Sequence, residues 1–307
     1  MDKKIKALQG HLTNGGFKSA IVSIRHLSEL RDNLEQLLES GLLNRDFYDE
    51  IVSRLDLYWD FEPPADLPGI QSIILVAAPV LKVRVPVTVS GKTSCVIIPP
   101  NYLNSTDKEM KDILSHCSQR YGLRFVEAIL PEKLLAVRSG LARYGRNNIA
   151  YIDGWGSYFR LRTFFSDVPC PPDHWWEMKM MDLCDSCSGC RKMCPTGAIS
   201  EGRFLIRCER CLTFYNEGPE DFPEWIDSAW HNCLIGCMIC QDICPANRKF
   251  TDWIDGGEAF TEEETMMIWD GIPLDKLPRV MAEKLGKLNM IDDYGLLRRN
   301  LRVLING

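Results

Sequence analysis

Cys184-Asp185-Ser186-Cys187-Ser188-Gly189-Cys190-Arg191-Lys192-Met193-Cys194-Pro195 is the stretch on which the reading of this chain turns. Its spacing is C-x2-C-x2-C-x3-C-P. In bacterial ferredoxins this pattern gives three closely spaced thiolates to one [4Fe–4S] cubane, while the fourth cysteine reaches a second cubane. Further on, Cys237-Met238-Ile239-Cys240-Gln241-Asp242-Ile243-Cys244-Pro245 repeats the second half. By the exchange of fourth ligands, Cys184, Cys187, Cys190 and Cys244 hold one cluster. Cys194, Cys237 and Cys240 then take three corners of the other. Its last ligand is open at this point. Position 234, where a simple ferredoxin carries cysteine, is Leu234, and Cys208, Cys211 and Cys233 are all at hand. Zinc also uses C-x2-C pairs, but it fits this cysteine order and the two Cys-Pro steps poorly. Cys95, Cys117 and Cys170 stand apart and read as small core residues.

Ten of the 13 cysteines lie between positions 184 and 244, a density that needs either disulfides or metal. The start of the chain, Met1-Asp2-Lys3-Lys4-Ile5-Lys6, has no apolar core of an export signal behind it. The longest apolar run, 73–81, is far short of the ~20 residues of a membrane helix. A cytoplasmic location without membrane attachment is therefore expected, where clustered thiols hold metal. The 307 residues are 45% hydrophobic and 25% charged, which excludes long disordered stretches. A net charge of −6 counts against broad attraction to nucleic acid or anionic lipid, though not against a local basic patch.

Upstream of the cysteines, residues 1–70 read as a helical segment. Leu27, Leu30, Leu34, Leu37 and Leu38 recur at helical spacing, and Gly41 suits the left-handed position past a helix end. Ser72-Ile73-Ile74-Leu75-Val76-Ala77-Ala78 reads as a buried strand. Val83, Val85, Val87 and Val89 alternate as a half-exposed strand, with Pro86 pointing to a sheet edge and Gly91-Lys92 turning the chain toward a partner strand at 94–98. Thr106 and Glu109 suggest a capping box ahead of Met110, Ile113, Leu114 and Cys117, and Pro131 suits a helix start. Strands and helices mixed over 71–175 make an α+β or α/β core. A second domain is expected from near Pro171, with the cysteines in 176–250. A helical tail over 251–307 follows, with a helix at 278–288, packing on the core.

Beyond the cysteines, the chain resembles the epoxyqueuosine reductase family, cobalamin-dependent iron–sulfur enzymes related to reductive dehalogenases. Ala136-Val137-Arg138-Ser139-Gly140-Leu141 followed by Tyr144-Gly145-Arg146-Asn147-Asn148 is similar to the family's A-x-R-x-G-L-G-W-x-G-K-N. Gly156-Ser157-Tyr158-Phe159 is similar to its G-S-W-F. Gln241-Asp242-Ile243-Cys244-Pro245 and Leu297-Arg298-Arg299-Asn300 also match. The resemblance implies a nitroreductase-like cobalamin-binding core joined to a ferredoxin-like two-cluster domain. A corrin would lie between them and take electrons from the nearer cluster. It places Arg138, Gly140, Tyr144, Gly145, Asn148 and Ser157 at that corrin and favours Cys211 as the missing cluster ligand. Taken alone, the 138–148 segment reads as a helix end and a glycine turn.

The departures bear on chemistry. The family's proton-donating aspartate falls on Val126, in Phe125-Val126-Glu127-Ala128-Ile129-Leu130-Pro131-Glu132-Lys133, and its R-D-Y-H-like segment is replaced by Pro99-Pro100-Asn101-Tyr102. Reductive C–O cleavage needs a proton source. Tyr102 and Glu127 are the substitutes at hand, each with a structural reading beside the catalytic one. None of His11, His26, His116, His174 and His231 sits in a D-x-H-x-x-G cobalt-ligand motif. Three functions follow. The first is delivery of low-potential electrons, taken from a donor such as ferredoxin or flavodoxin, to a corrinoid that the chain binds or that a partner corrinoid protein carries; reducing cobalt needs no acid. The second is epoxyqueuosine reduction on tRNA, against which the missing acid and the acidic charge count. The third is a cobalamin-free electron-transfer partner.

Overall fold

The computed structural model describes residues 3–54, 58–65, 67–170, 172 and 175–306; Pro171, where a boundary was expected, and His174 lie outside them. The chain opens with α1 (Lys3–Asn14), β1 (Lys18–Ser23), α2 (His26–Glu39) and α3 (Arg45–Arg54). Next come β2 (Ser72–Pro79), β3 (Lys82–Val89), β4 (Lys92–Ile98) and α4 (Asp107–Tyr121). The middle holds β5 (Phe125–Ala128), α5 (Glu132–Arg138), β6 (Arg143–Tyr144), β7 (Ala150–Tyr151) and β8 (Phe159–Ser166). The cysteine region has only short helices, α6 (Gly189–Met193), α7 (Leu212–Glu217) and α8 (Ile239–Asp242). Then follow β9 (Ile254–Gly256), α9 (Glu262–Asp270), α10 (Arg279–Lys287) and α11 (Tyr294–Asn306). No helix among the described residues is long and apolar enough to cross a membrane.

The elements form two compact units, one of residues 1–79 and 106–186, the other of 80–105 and 187–307. The first is built on a sheet of order β1-β2-β8-β5 whose pairings are all antiparallel, so the fold is α+β. The continuous apolar run of β2 is explained by burial on both faces; Ser72 to Ala78 are all buried. On one face, Ile74, Val76 and Ala78 join Phe164 of β8, Ile5, Leu8 and Leu12 of α1 and Met110, Leu114 and Cys117 of α4. α5 packs on β2 and β8.

β1 corrects the expectation of an all-helical first segment. Lys18-Ser19-Ala20-Ile21-Val22-Ser23 pairs along its whole length with β2, Lys18 facing Ala77 and Ser23 facing Ser72. The expected capping box at Thr106 also fails. Thr106 stands at the N-cap of α4 in helical rather than extended conformation, and its hydroxyl caps nothing.

The second unit shows a different division of the chain from the four segments expected. The β3–β4 hairpin, read as part of the core domain, packs with the C-terminal helices. Val83, Val85 and Val87 share one core with Ile268 of α9, Met281 and Leu285 of α10 and Leu297 and Leu301 of α11. Ser90 (φ 50°) and Gly91 (φ 73°) form the two-residue turn with positive φ at both positions that matches strand twist. Pro86 does not mark a sheet edge. β3 is the central strand of β4-β3-β9, but β9 pairs only with Lys82 to Arg84, so Pro86 lies past its end, and its carbonyl accepts from Phe260 N–H at 2.9 Å.

Candidate iron–sulfur centre

Within the second unit the two half-motifs have the same local build. α6 leads to Cys194-Pro195 and α8 leads to Cys244-Pro245, and the two helices pack on each other. A residue before proline is forced out of the helical region. Cys194 (ψ 109°) and Cys244 (ψ 123°) are accordingly extended, so each leaves its helix with its thiol turned off the helical path.

Of the three thiols that reading by spacing gave to the second cluster, Cys194 and Cys237 are within electrostatic reach of each other. Cys237 feels the charge of Cys194, and Cys211 feels those of Cys237 and Cys208. Burial pushes the Cys211 thiol up to about 11, so in the cluster-free chain it keeps its proton until metal displaces it. Cys208 is half-buried and directs its thiol at the Ile206 carbonyl, 3.9 Å away. Cys233 is fully buried and donates to Asn232 Oδ1 at 3.1 Å. None of the thirteen cysteines is paired in a disulfide. No three His, Cys, Asp or Glu side chains among the described residues close on a point where one ion would sit. A cubane binds its thiolates at separate corner irons, and a set of mostly half-buried thiols outside any disulfide, on short helices and loops, is the donor chemistry it requires.

Asn232 is an organiser that sequence reading missed, and Asn300, noted there only within the tail match, is a second. Asn232 Nδ2 donates to Cys237 Sγ at 3.2 Å, and its oxygen accepts from Met238 N–H at 2.8 Å. Asn300 is wholly buried on α11 and donates to the Asn216 and Leu234 carbonyls at 2.9 and 3.0 Å. Asn216 in turn donates to the Cys233 and Gly236 carbonyls. The Leu-Arg-Arg-Asn match thus fastens the loop that leads into Cys237. Tyr102 lies against the same loop, where a Cβ on Gly236 would strike its ring, and it donates to Glu217. Burial, then the Glu217 charge, holds its phenol well above the ordinary tyrosine range, so it keeps its proton.

Cys184 falls in the first unit, buried at the end of a short turn. There the 138–148 segment reaches it: Arg146 N–H lies 3.4 Å from Cys184 Sγ, and the Arg146 guanidinium donates to the Cys184 carbonyl. Of the six residues expected at a corrin, Gly140 and Tyr144 line two different hollows among the described residues. Gly140 (φ +77°) lines one of ≈830 Å³ with Ser139, Arg143, Trp176 and the edge strand β1; the Trp176 indole fills the place where a Cβ would go. Arg138 pairs with Glu29 at 3.3 Å and stacks over Trp175. Gly145 and Asn148 (φ 59°) form the tight turn between β6 and β7, and Ser157 is buried. Tyr144 lines a second hollow, of ≈720 Å³, together with Glu127 and Glu132.

Glu127 is a surface ion-pair residue, 3.1 Å from Lys111 and 3.5 Å from Arg162, on the edge strand β5. The notable carboxyl of this hollow is Glu132. Burial drives its pKa up to about 7 against the pull of Arg162 and Arg160. Its signal in the sequence was a glutamate directly after Pro131, in the first turn of a helix. Of the histidines, His26 bonds Glu29 at 2.6 Å, His11 contacts Tyr121 and His116, and His231 bonds Asn216.

Residues 183–247 match the model of a 4Fe-4S double cluster binding domain. The chain is similar to epoxyqueuosine reductases. One from Bacillus anthracis is 33% identical over 119 residues, 39% of this chain and 30% of that protein. One from Bacillus cereus is 26% identical over 251 residues, 77% of this chain and 62% of that protein. Among solved structures, the epoxyqueuosine reductase of Streptococcus thermophilus superimposes with a TM-score of 0.66 at 18% identity, covering 99% of this chain and 81% of that one. An epoxyqueuosine reductase bound to a tRNA-Tyr epoxyqueuosine-modified stem loop gives 0.68 at 19%, covering 98% and 80%. The chain therefore has the epoxyqueuosine reductase fold and carries a double-cluster domain.

Proposed function

We propose that this chain is an iron–sulfur oxidoreductase that passes single low-potential electrons through two [4Fe–4S] clusters to a corrinoid, its own or that of a partner protein. One cluster would be held by Cys184, Cys187, Cys190 and Cys244, the other by Cys194, Cys211, Cys237 and Cys240. The observation that supports this reading is electrostatic: Cys237 of the second half-motif feels the charge of Cys194 of the first, and Cys211 feels that of Cys237. Two such clusters act as a one-electron wire, fed by a donor such as ferredoxin or flavodoxin.

A corrin in the first unit is supported by the hollow of ≈830 Å³. It is lined by four consecutive residues of the edge strand β1, Ser19 to Val22, and by Gly140. A strand edge offers unpaired N–H and C=O groups, the partners that the amide-bearing rim of a corrin takes. When bound, the corrin would supply a cobalt centre able to accept electrons one at a time. Arg143, Ser139 and the β1 edge would bind and orient its rim, and Trp176 would cover it from water.

A second reading, epoxyqueuosine reduction in tRNA, is favoured by the relatives and by the structure that holds a modified tRNA stem loop. Against it stands the resemblance, which aligns the family's acid with Val126, a residue exposed on β5. Anaerobic titration of cluster-loaded protein with cobalamin, followed by visible and EPR spectra of cobalt, tests the proposal. Tight binding with loss of the lower axial nitrogen supports a chain-bound corrin. If there is no binding, transfer to a purified corrinoid protein decides, and failure there overturns the reading.

A further inference from the structure

We propose that a hollow on the C-terminal helix α11 binds a phosphate group through Arg298 and Arg302. The site lies in the second unit, has a volume of ≈660 Å³ and is lined by Asp221, Ser228, Arg298, Arg299, Arg302 and Asn306. Residues 298, 302 and 306 are spaced at i, i+4 and i+8, so they stand along one face of α11.

The arginines divide by role. Arg299 is committed to the fold: its guanidinium donates to the Glu220, Tyr215 and Asn216 carbonyls and to Asn300 Oδ1, and it lies 4.0 Å over the Phe222 ring. Arg298 and Arg302 make no hydrogen bond or ion pair with any described residue. Arg302 has its Nε buried with nothing to donate to, while its guanidinium lies 5.5 Å from the Trp269 ring. A buried donor without an acceptor is costly; Arg298 lies along Gly271 and Arg302 beside Trp269, both line the hollow, and a guanidinium suits the bidentate geometry of a phosphate. Asp221 offsets one of three positive charges, which leaves the hollow cationic on a chain of net charge −6.

The ordinary role for helix arginines is to offset the dipole at the C-terminal end. That does not account for these, because the last turn of α11 carries no basic residue. The ligand chemistry is a phosphate ester or phosphate ion, and its source is either an RNA backbone or a small phosphorylated molecule. The site is independent of the cluster reading.

The test uses the full cluster-loaded chain, its Arg298→Gln and Arg302→Gln forms, and the double variant. Retained cluster absorbance and melting temperature check that the fold is intact. Two probes are titrated at low salt: inorganic phosphate by calorimetry, and a short RNA stem loop by fluorescence anisotropy. The expected result is binding of at least one probe, weakened about tenfold or more by each substitution, with a shallower salt dependence for RNA. Phosphate binding without RNA binding supports a small-molecule source, and RNA binding lost in the variants supports an RNA source. If neither probe binds, or if all variants bind as the parent does, the proposal is overturned.

Discussion

The backbone N–H of Arg146 points at the sulfur of Cys184 from 3.4 Å, and the Arg146 side chain donates to the carbonyl of the same cysteine. A positive charge and an N–H beside a cluster thiolate favour the more negative, reduced state and raise its potential. In Arg146→Gln the charge is gone while the N–H stays. The potential of the cluster that uses Cys184 should fall by on the order of tens of millivolts. Redox titration followed by EPR reads this, and an unchanged or higher midpoint contradicts the assignment.

Glu132 yields a pH dependence with a definite sign. Its carboxyl titrates at about 7 in the folded chain, against 4.5 ordinarily, chiefly because it is buried. The folded state therefore holds the proton more tightly than the unfolded one. No penalty exists below about pH 4.5; it grows between 4.5 and 7 and is fully present above, at roughly 3 kcal/mol. Glu132→Gln should thus melt at a higher temperature than the parent at pH 8.5, with the gap closing toward pH 5. Arg160 and Arg162 of β8, Asp107 of α4 and Glu127 of β5 surround the group and stay in both proteins. A gap independent of pH would show that Glu132 is not the titrating residue.

Two threonines that look alike in sequence should behave differently. Thr261 accepts from Glu264 N–H at 3.2 Å, and the Glu264 carboxylate accepts from Thr261 N–H at 2.9 Å, a complete capping box. Thr106 makes no such bond. Thr261→Ala should cost about 1 kcal/mol and Thr106→Ala a few tenths, compared by chemical denaturation. Equal losses would contradict the two cap geometries.

The same pair shows where reading by residues works and where it stops. The cysteine spacing was legible because thiolates must meet at fixed separations, which leaves few arrangements. The β2 run and the β3–β4 hairpin were legible because burial on both faces and strict alternation each write a local period. The Thr-x-x-Glu pattern is local too, but whether a cap forms depends on the backbone entering the helix, and Thr106 enters already helical. β1 was hidden because six short or mixed residues beside helices carry too weak a period, and their pairing with β2 is non-local. The partnership of the hairpin with α9, α10 and α11 spans some two hundred residues, and no local pattern encodes it. Asn232 was passed over, and the role of Asn300 in the tail match was not readable, for the same reason, since each acts on groups that only the fold brings near.

The central claim is that the cysteines of 184–244 hold two cubanes rather than zinc or a single cluster. Iron and sulfide determination with Mössbauer spectroscopy on the anaerobically reconstituted chain tests it most directly. The account predicts about eight irons and eight sulfides per chain with the parameters of [4Fe–4S] clusters. About four irons, or stoichiometric zinc that iron and sulfide do not displace, would contradict it.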